Sequence, residues 1–292
     1  MKFFPGKILI TGFVFFLSAC GAKEIVIKRG GISYDTEKKV VVSYQDLRKW
    51  YDQRDYDRIY DTLSPVIDNG GIDNYFVHYI LIEAAYQEKE TGNIQEYYLK
   101  SHLKHFYQGA TAFHQERYGI ALDYFKLIKT KDPVVHYLIG TCYLFRKEYP
   151  LAQAHLRLAQ NWENAPWPYL NMASLMEIRK EYDASLKYLD QAMDYTYDFE
   201  KNLMTDILIR KTDIYFQRRN YQEAYFYSDR AYQEDPQKTL TYSDPGDILL
   251  AWGKQAQAKS FWNEALQNLN LSNDLQTLIR NKIEIVEMLK EK

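Results

Sequence analysis

Cysteine occurs only at Cys20 and Cys142, so no framework of disulfides holds this 292-residue chain together. Proline and glycine are scarce, at 8 and 13 residues; this excludes a collagen-like or low-complexity chain and leaves room for long helices. Neither charge sign dominates. The 37 basic side chains meet 39 acidic ones, and without a basic excess no nucleic-acid partner is expected. Beyond the first twenty residues, no apolar run reaches the roughly eighteen residues that span a bilayer. Glycine-rich phosphate loops, nucleophile elbows and zincin motifs are missing as well. What the chain does have is 46% hydrophobic residues, enough for a sizeable core, and 27 tyrosines. Many aromatics with few breakers predict packed helices.

At the N-terminus, Lys2 and Lys7 flank the start of an apolar run from Ile8 to Leu17, and Leu17-Ser18-Ala19-Cys20 follows. The run is too short for a stable transmembrane helix. Small residues let the chain lie extended in a peptidase site, and a thiol accepts a thioether-linked diacylglyceryl group. The segment resembles a bacterial lipoprotein signal peptide with its lipobox. That resemblance implies removal of residues 1–19, lipidation and palmitate-type acylation of Cys20, and anchoring to the cell envelope. Each acyl chain contributes roughly 0.8 kcal/mol per buried methylene. Gly21 stands where enterobacterial lipoproteins retained at the inner membrane carry aspartate, so the same resemblance points to the outer membrane, facing the periplasm or cell surface.

Residues 20–43 read as a lipidated, flexible tether. Ile25-Val26-Ile27 and Val40-Val41-Val42 are β-prone runs around Gly30-Gly31, sufficient for a marginal hairpin. From residue 44 the pattern becomes helical and repeats. Tyrosine with a small residue three positions later recurs at Tyr118/Ala121, Tyr149/Ala152, Tyr182/Ser185 and Tyr221/Ala224. Ala258 continues the series, at steps of 31, 33, 39 and 34 residues. Gly109, Gly140, Ala173 and Thr212 lie upstream, Ala159, Ala192, Ala231 and Ala265 downstream, and Pro133 and Pro236 close two units. Small residues let antiparallel helices approach closely, an aromatic past the turn wedges between hairpins, and proline ends the ladder. A single hairpin cannot bury its apolar face alone, so neighbours must stack.

These units resemble tetratricopeptide repeats. The resemblance covers residues 101–270 well and 44–100 poorly. In the latter stretch Trp50, Tyr56, Ile59 and Leu63 fit a degenerate hairpin, and residues 73–105 read as two helices broken at Gly92-Asn93. The 39-residue step implies an insertion near Asp194–Lys201 or longer helices. Leu275, Leu278, Ile279, Val286 and Leu289 give residues 271–292 one apolar face, as a capping helix requires. The expected fold class is all-α: a tetratricopeptide-like α-solenoid, a right-handed superhelix of helix hairpins with a C-terminal cap.

Little points to catalysis. His102 and His105 share a helix face if that segment is helical, but they have no third metal ligand nearby in sequence. Asp68-Asn69-Gly70-Gly71 reads as a turn, because the later ligands of a calcium loop are missing. Cys142 faces its helix pair, as an inert buried thiol does. Trp162 to Tyr169 reads as a stiffened inter-repeat turn whose rings cover the neighbouring hairpin, with an exposed docking knob as the alternative. No metal, and no cofactor beyond the covalent lipid, is expected, and the chain is expected not to be an enzyme.

In tetratricopeptide arrays the first helices of successive hairpins line a concave groove that takes peptides or helices. The register of this chain places Phe106, Phe113, Tyr137, Leu144, Leu170, Ile209 and Phe216 there. The lysine–asparagine pattern with which some members hold acidic C-termini is replaced by Leu103, Val134 and Trp167, so that activity is not carried over. Two readings of the aromatic stripe stay open: a groove with hot-spot anchors for a hydrophobic peptide or partner helix, or a groove filled by the chain's own terminal segments. The expected function is a protein–protein interaction scaffold or adaptor in the bacterial envelope, with envelope proteins as partners. The alternative is a surface lipoprotein that captures a glycan or nutrient on its aromatic side chains.

Overall fold

A computed structural model describes residues 24–28, 31–35, 40–67, 74–130, 132–268 and 270–290. The lipidation site Cys20 and the turn at residues 68–71 lie outside the described residues. Ahead of the helices stand three short strands, β1 (Glu24–Lys28), β2 (Gly31–Asp35) and β3 (Val40–Val42). They form an antiparallel meander in which Ile25 faces Tyr34 and Ile32 faces Val42. The marginal hairpin expected of the two apolar runs is thus a three-stranded arrangement. The two valine- and isoleucine-rich runs do not pair with each other; each pairs with Gly31–Asp35, where a glycine followed by alternating residues supplies a central strand that the search for apolar runs passes over.

The body is a chain of antiparallel helix hairpins. They are α1 (Tyr44–Asp52) with α2 (Tyr56–Ile67), α3 (Tyr75–Gln87) with α4 (Thr91–Lys100), and α5 (Lys104–His114) with α6 (Tyr118–Phe125). Then come α7 (Pro133–Phe145) with α8 (Tyr149–Ala159), α9 (Trp167–Ile178) with α10 (Tyr182–Asp194), and α11 (Lys201–Gln217) with α12 (Tyr221–Glu234). The last hairpin splits its first arm into α13 (Pro236–Tyr242) and α14 (Pro245–Ala251), because Pro245 starts a new helix capped by Asp244, and returns through α15 (Gln255–Asn268). Each hairpin packs within itself and on the next, and α16 (Asn273–Lys290) closes the stack against α15. Among the described residues no helix is long and apolar enough to cross a membrane.

Every hairpin turns on one residue in the left-handed region: Arg54, Lys89, Glu116, Lys147, Lys180, Arg219 and Gly253. Each follows the C-cap of a first helix and lets the N–H groups of the turn fold back onto that helix's last carbonyls, as Asp55 N–H does on the Trp50 carbonyl (2.9 Å). These turns recur at the spacing of the small residues and extend the series to the first two hairpins, where composition alone gave a poor match. They also move one boundary. The break between α3 and α4 falls at Lys89, while Gly92 and Asn93 lie in the first turn of α4. The long step between the fifth and sixth hairpins comes from helices, chiefly α11 with its 17 residues against 12 for α9.

Within the hairpins, small residues on the first helix meet large ones sixteen positions on. A Cβ on Gly109 would stand 2.5 Å from the Phe125 ring, one on Gly140 2.9 Å from Leu156, and one on Gly246 2.2 Å from the Trp262 indole. Glycine is required there because the second helix already fills the space. In the cap, Leu275, Ile279 and Val286 are buried as expected, but Leu278 is 44% exposed.

Candidate functional site

The register extends upstream. Tyr44 and Tyr51 on α1, and Tyr79 and Tyr86 on α3, are spaced like Phe106 and Phe113 on α5. These residues do not line one open groove. Phe106 is buried under the ring of Tyr75 (centroids 4.9 Å apart), and Ile209 is buried as well. Phe113, Tyr137, Leu144 and Leu170 are half-buried, and Phe216 is 40% exposed. Phe106 and Ile209 are therefore core residues, Phe106 because α3 presses on α5 through Tyr75 and Ile209 because it packs among Met193 of α10 and Tyr227 and Ala231 of α12, and Phe216 stands free of the rest, its ring at a steep angle to that of Tyr221.

The reason is α1. It does not only stack on α2; it reaches α11, five hairpins further on. Arg48, fully buried, holds it there. Its Nε donates to Glu200 Oε1 (2.7 Å) and its Nη2 to Glu200 Oε2 (2.6 Å), while Nη1 and Nη2 donate to the carbonyls of Asn164 (2.6 Å) and Tyr195 (3.1 Å). The guanidinium carbon lies 5.0 Å from the Trp167 ring centroid and 4.5 Å from that of Tyr197. Such a planar, forked donor set suits arginine and not lysine. Asp52, at the end of α1, accepts from the N–H groups of Asn202 (3.3 Å) and Leu203 (3.0 Å), so it caps the N-terminus of α11 from another hairpin. The concave face is thus occupied in part by the chain's own helix 44–52, next to the segments expected to fill it.

Trp162 and Trp167 complete this contact. Their rings pack on each other (5.0 Å), on Phe76 of α3 (5.3 and 5.4 Å) and, for Trp167, on Tyr51 (6.4 Å). They form no exposed knob, and what they cover is the N-terminal hairpins across the groove as well as the adjoining unit. Arg48, Asp52 and Glu200 stand outside the pattern of aromatics and small residues. The legible signal is an arginine beside Leu47 and Trp50, on the apolar side of a short helix.

Beside α1 a cavity of about 460 Å³ stays open, bounded by Tyr51, Tyr56, Glu83, Trp167 and Asp206 among others. Glu83 Oε2 accepts from the Tyr51 hydroxyl at 2.7 Å, and the Tyr79 hydroxyl also hydrogen-bonds this carboxylate. Burial raises Glu83 above the usual carboxylate range, and the same cause pushes Tyr137 to about 12.

The other candidate chemistry disperses. Cys142 is fully buried and its thiol is pushed up to about 12 by burial, so it stays protonated at neutral pH. His102 sits in the turn before α5 and is exposed, so it does not share a helix face with His105. Among the described residues no group of three or more histidine, cysteine or acidic side chains is placed to hold a metal ion.

No family model matches the chain, and no curated protein matches it either. Solved structures do. The chain is similar to one in the APC/C hetero-tetramer Cut9–Hcn1, at 12% identity and a TM-score of 0.53. That match covers 80% of this chain and 48% of the other, so the chain spans about half the length of the protein it matches. It is also similar to a tetratricopeptide repeat protein from Parabacteroides merdae (15% identity, 83% of this chain and 96% of that one, TM-score 0.43). Yeast Tom70 is a third (11% identity, 88% and 62% covered, TM-score 0.48). At such identities the likeness speaks for fold: the chain is a tetratricopeptide-like α-solenoid.

Proposed function

We propose that this protein is a non-catalytic scaffold that binds a helix or extended segment of another protein on its concave face. One observation carries the reading. The concave face already holds a helix, α1, through an arginine with four hydrogen bonds and two flanking rings. A surface that satisfies one helix in this way has the shape and the chemistry for helix-in-groove recognition. The C-terminal part of the face, where Phe216 is exposed on α11, has no such intramolecular occupant among the described residues and is the part we assign to the partner. The lipobox at residues 17–20 supports lipidation of Cys20 and residence at the bacterial envelope, with envelope proteins as partners, and Gly21 favours the outer membrane. Glycan capture has less support, because Phe76, Trp162 and Trp167 are packed on one another and offer few free ring faces.

Photo-crosslinking in detergent-solubilised envelopes tests the reading. A crosslinker in place of Phe216 should yield a discrete protein adduct, and one in place of Phe113 a weaker one. Adducts at neither position would refute the groove. Globomycin, an inhibitor of lipoprotein signal peptidase, should leave the unprocessed precursor; unchanged processing would remove the lipid anchor from the proposal.

A further inference from the structure

The cavity beside α1 has an unbalanced charge. Four carboxylates reach it, and three are engaged. Glu200 is paired with Arg48, Asp206 with Lys238 (2.7 Å), and Asp52 caps α11. Glu83 alone has only neutral phenol hydroxyls as hydrogen-bond partners and, among the described residues, no ion pair, the one charge acting on it being that of Arg54 at the rim. The rim residue Arg54 is the one basic side chain in the lining, and it is exposed. A carboxylate drawn out of water without a counter-charge is costly, and a cation brought to it recovers that cost. Around Glu83 stand the rings of Tyr51 and Tyr56, which can cover an alkyl arm and face a positive head, while Trp167, its faces already engaged, closes the wall behind them. The same wall already performs this role once, since Trp167 faces the guanidinium of Arg48.

We propose that this cavity, with Glu83 at its wall and Tyr51, Tyr56 and Trp167 around it, receives the ammonium or guanidinium end of an alkyl chain, as carried by a lysine or arginine of a bound peptide. The proposal rests on the groove reading above and adds the chemistry of one anchor residue. It makes α1 one wall of the binding site as well as an occupant of the groove.

Calorimetric titration of the detergent-solubilised full chain separates the two claims. The probes are short serine–alanine–leucine peptides carrying a single arginine, lysine, norleucine or glutamate, together with free spermidine. The arginine and lysine peptides should bind, with the norleucine and glutamate peptides at least about tenfold weaker. Glu83→Gln, which keeps an acceptor for the Tyr51 hydroxyl, should weaken the arginine peptide about tenfold without changing the melting temperature by more than a few degrees. Arg54→Ala removes the competing rim charge and should tighten it, which keeps a readout available should the Gln variant fold poorly. Equal binding of arginine and norleucine peptides, or indifference to both substitutions, overturns the cationic pocket and leaves the groove reading standing. Binding of spermidine but of no peptide upholds the pocket and overturns the peptide groove.

Discussion

Arg48 and Lys282 each fasten a terminal helix to a buried carboxylate, and they do so at different reach. Lys282 lies on the cap α16 and donates to Asp244 (2.8 Å) and Asp247 (2.6 Å), one hairpin back in the stack. Asp244 also caps α14 through the Gly246 N–H (2.7 Å) and accepts from the Trp262 indole (2.8 Å). It therefore joins elements that stacking would bring together anyway. Arg48 bridges to Glu200, 152 residues away, with both side chains almost wholly buried. A solenoid ordinarily sums nearest-neighbour terms. The N-terminal contact adds a term that is not nearest-neighbour, and it ties the first hairpin to the sixth. The cap completes the repeat pattern, whereas α1 departs from it, and the departure creates the cavity at Glu83.

The largest predicted effect breaks that contrast directly. Glu200→Ala leaves a buried guanidinium without its partner and should cost about 3–5 kcal/mol in urea unfolding. Replacing both partners, Arg48→Met with Glu200→Leu, should recover most of that loss, because the desolvated charges go together. Lys282→Met should cost only about 1–2 kcal/mol, since Asp244 retains the Gly246 N–H and the indole and the site is open to water on one side. Equal losses at the two ends would dissolve the distinction between a long-range tie and a local cap.

Acid should affect the N-terminal half first. His114 lies against the rings of Tyr79 and Tyr86, each 5.5 Å away and nearly parallel to it, with Phe113 edge-on. Burial there lowers its pKa from 6.5 to about 4. A base whose folded pKa is depressed contributes its full share above the unfolded value, so this stability is present above about pH 6.5 and is lost as pH falls toward 4. The difference corresponds to roughly 3 kcal/mol at full expression. His136 and His155, whose Nδ1 atoms are 3.1 Å apart, are lowered as well, by burial, and act in the same direction. His114→Phe should keep the ring stack and flatten the acid limb of a stability–pH profile; an unchanged limb would count against His114 as its source.

The repeat and its period are legible in the sequence because their cause is local and recurrent. A small residue at one position and a large one sixteen later impose one helix spacing, whether the pair is Gly109 and Phe125 or Gly246 and Trp262. The cap is legible for the same reason, through Leu275, Ile279 and Val286. Register places residues on a groove-facing side, but it does not say how far a superhelix curls. Phe106 and Ile209 are core because neighbouring helices close over them, and α1 enters the concave face because Arg48 finds carbonyls and a carboxylate from two distant connections, at Asn164 and at Tyr195 to Glu200. No local pattern announces such partners. The central strand of the N-terminal meander escaped for the opposite reason: its pairing is local, but its composition is weak.

Gly246 offers a sharper test of the C-terminal end. Its missing Cβ makes room for the Trp262 indole, which must lie there to reach Asp244. Gly246→Ala forces a rigid ring to move and loosens the hydrogen bond that organises the cap, for an expected cost of about 1–3 kcal/mol. By the same comparison it should fray α14 to α16 in hydrogen exchange while leaving the protection of α1 and α3 intact. Loss of protection at both ends would mean that the tie through Arg48 couples the whole array.

The smallest expected effect concerns the hairpin turns. Six of the seven left-handed positions carry a charged side chain, and only the last, at φ +81°, carries glycine, Gly253. An L-residue at such a φ is strained, and glycine relieves the strain at the expense of a more flexible unfolded chain. Lys147 makes a fair test, because it is exposed and lies at φ +62°. Lys147→Gly should stabilise the fourth hairpin by roughly 0.5–1 kcal/mol, and Gly253→Ala should destabilise the last by a similar amount. Thermal melts of the two variants should move in opposite directions by a few degrees at most. Movement in the same direction would show that something other than backbone strain sets the turn residues, and that the two ends of the array do not share one hairpin geometry.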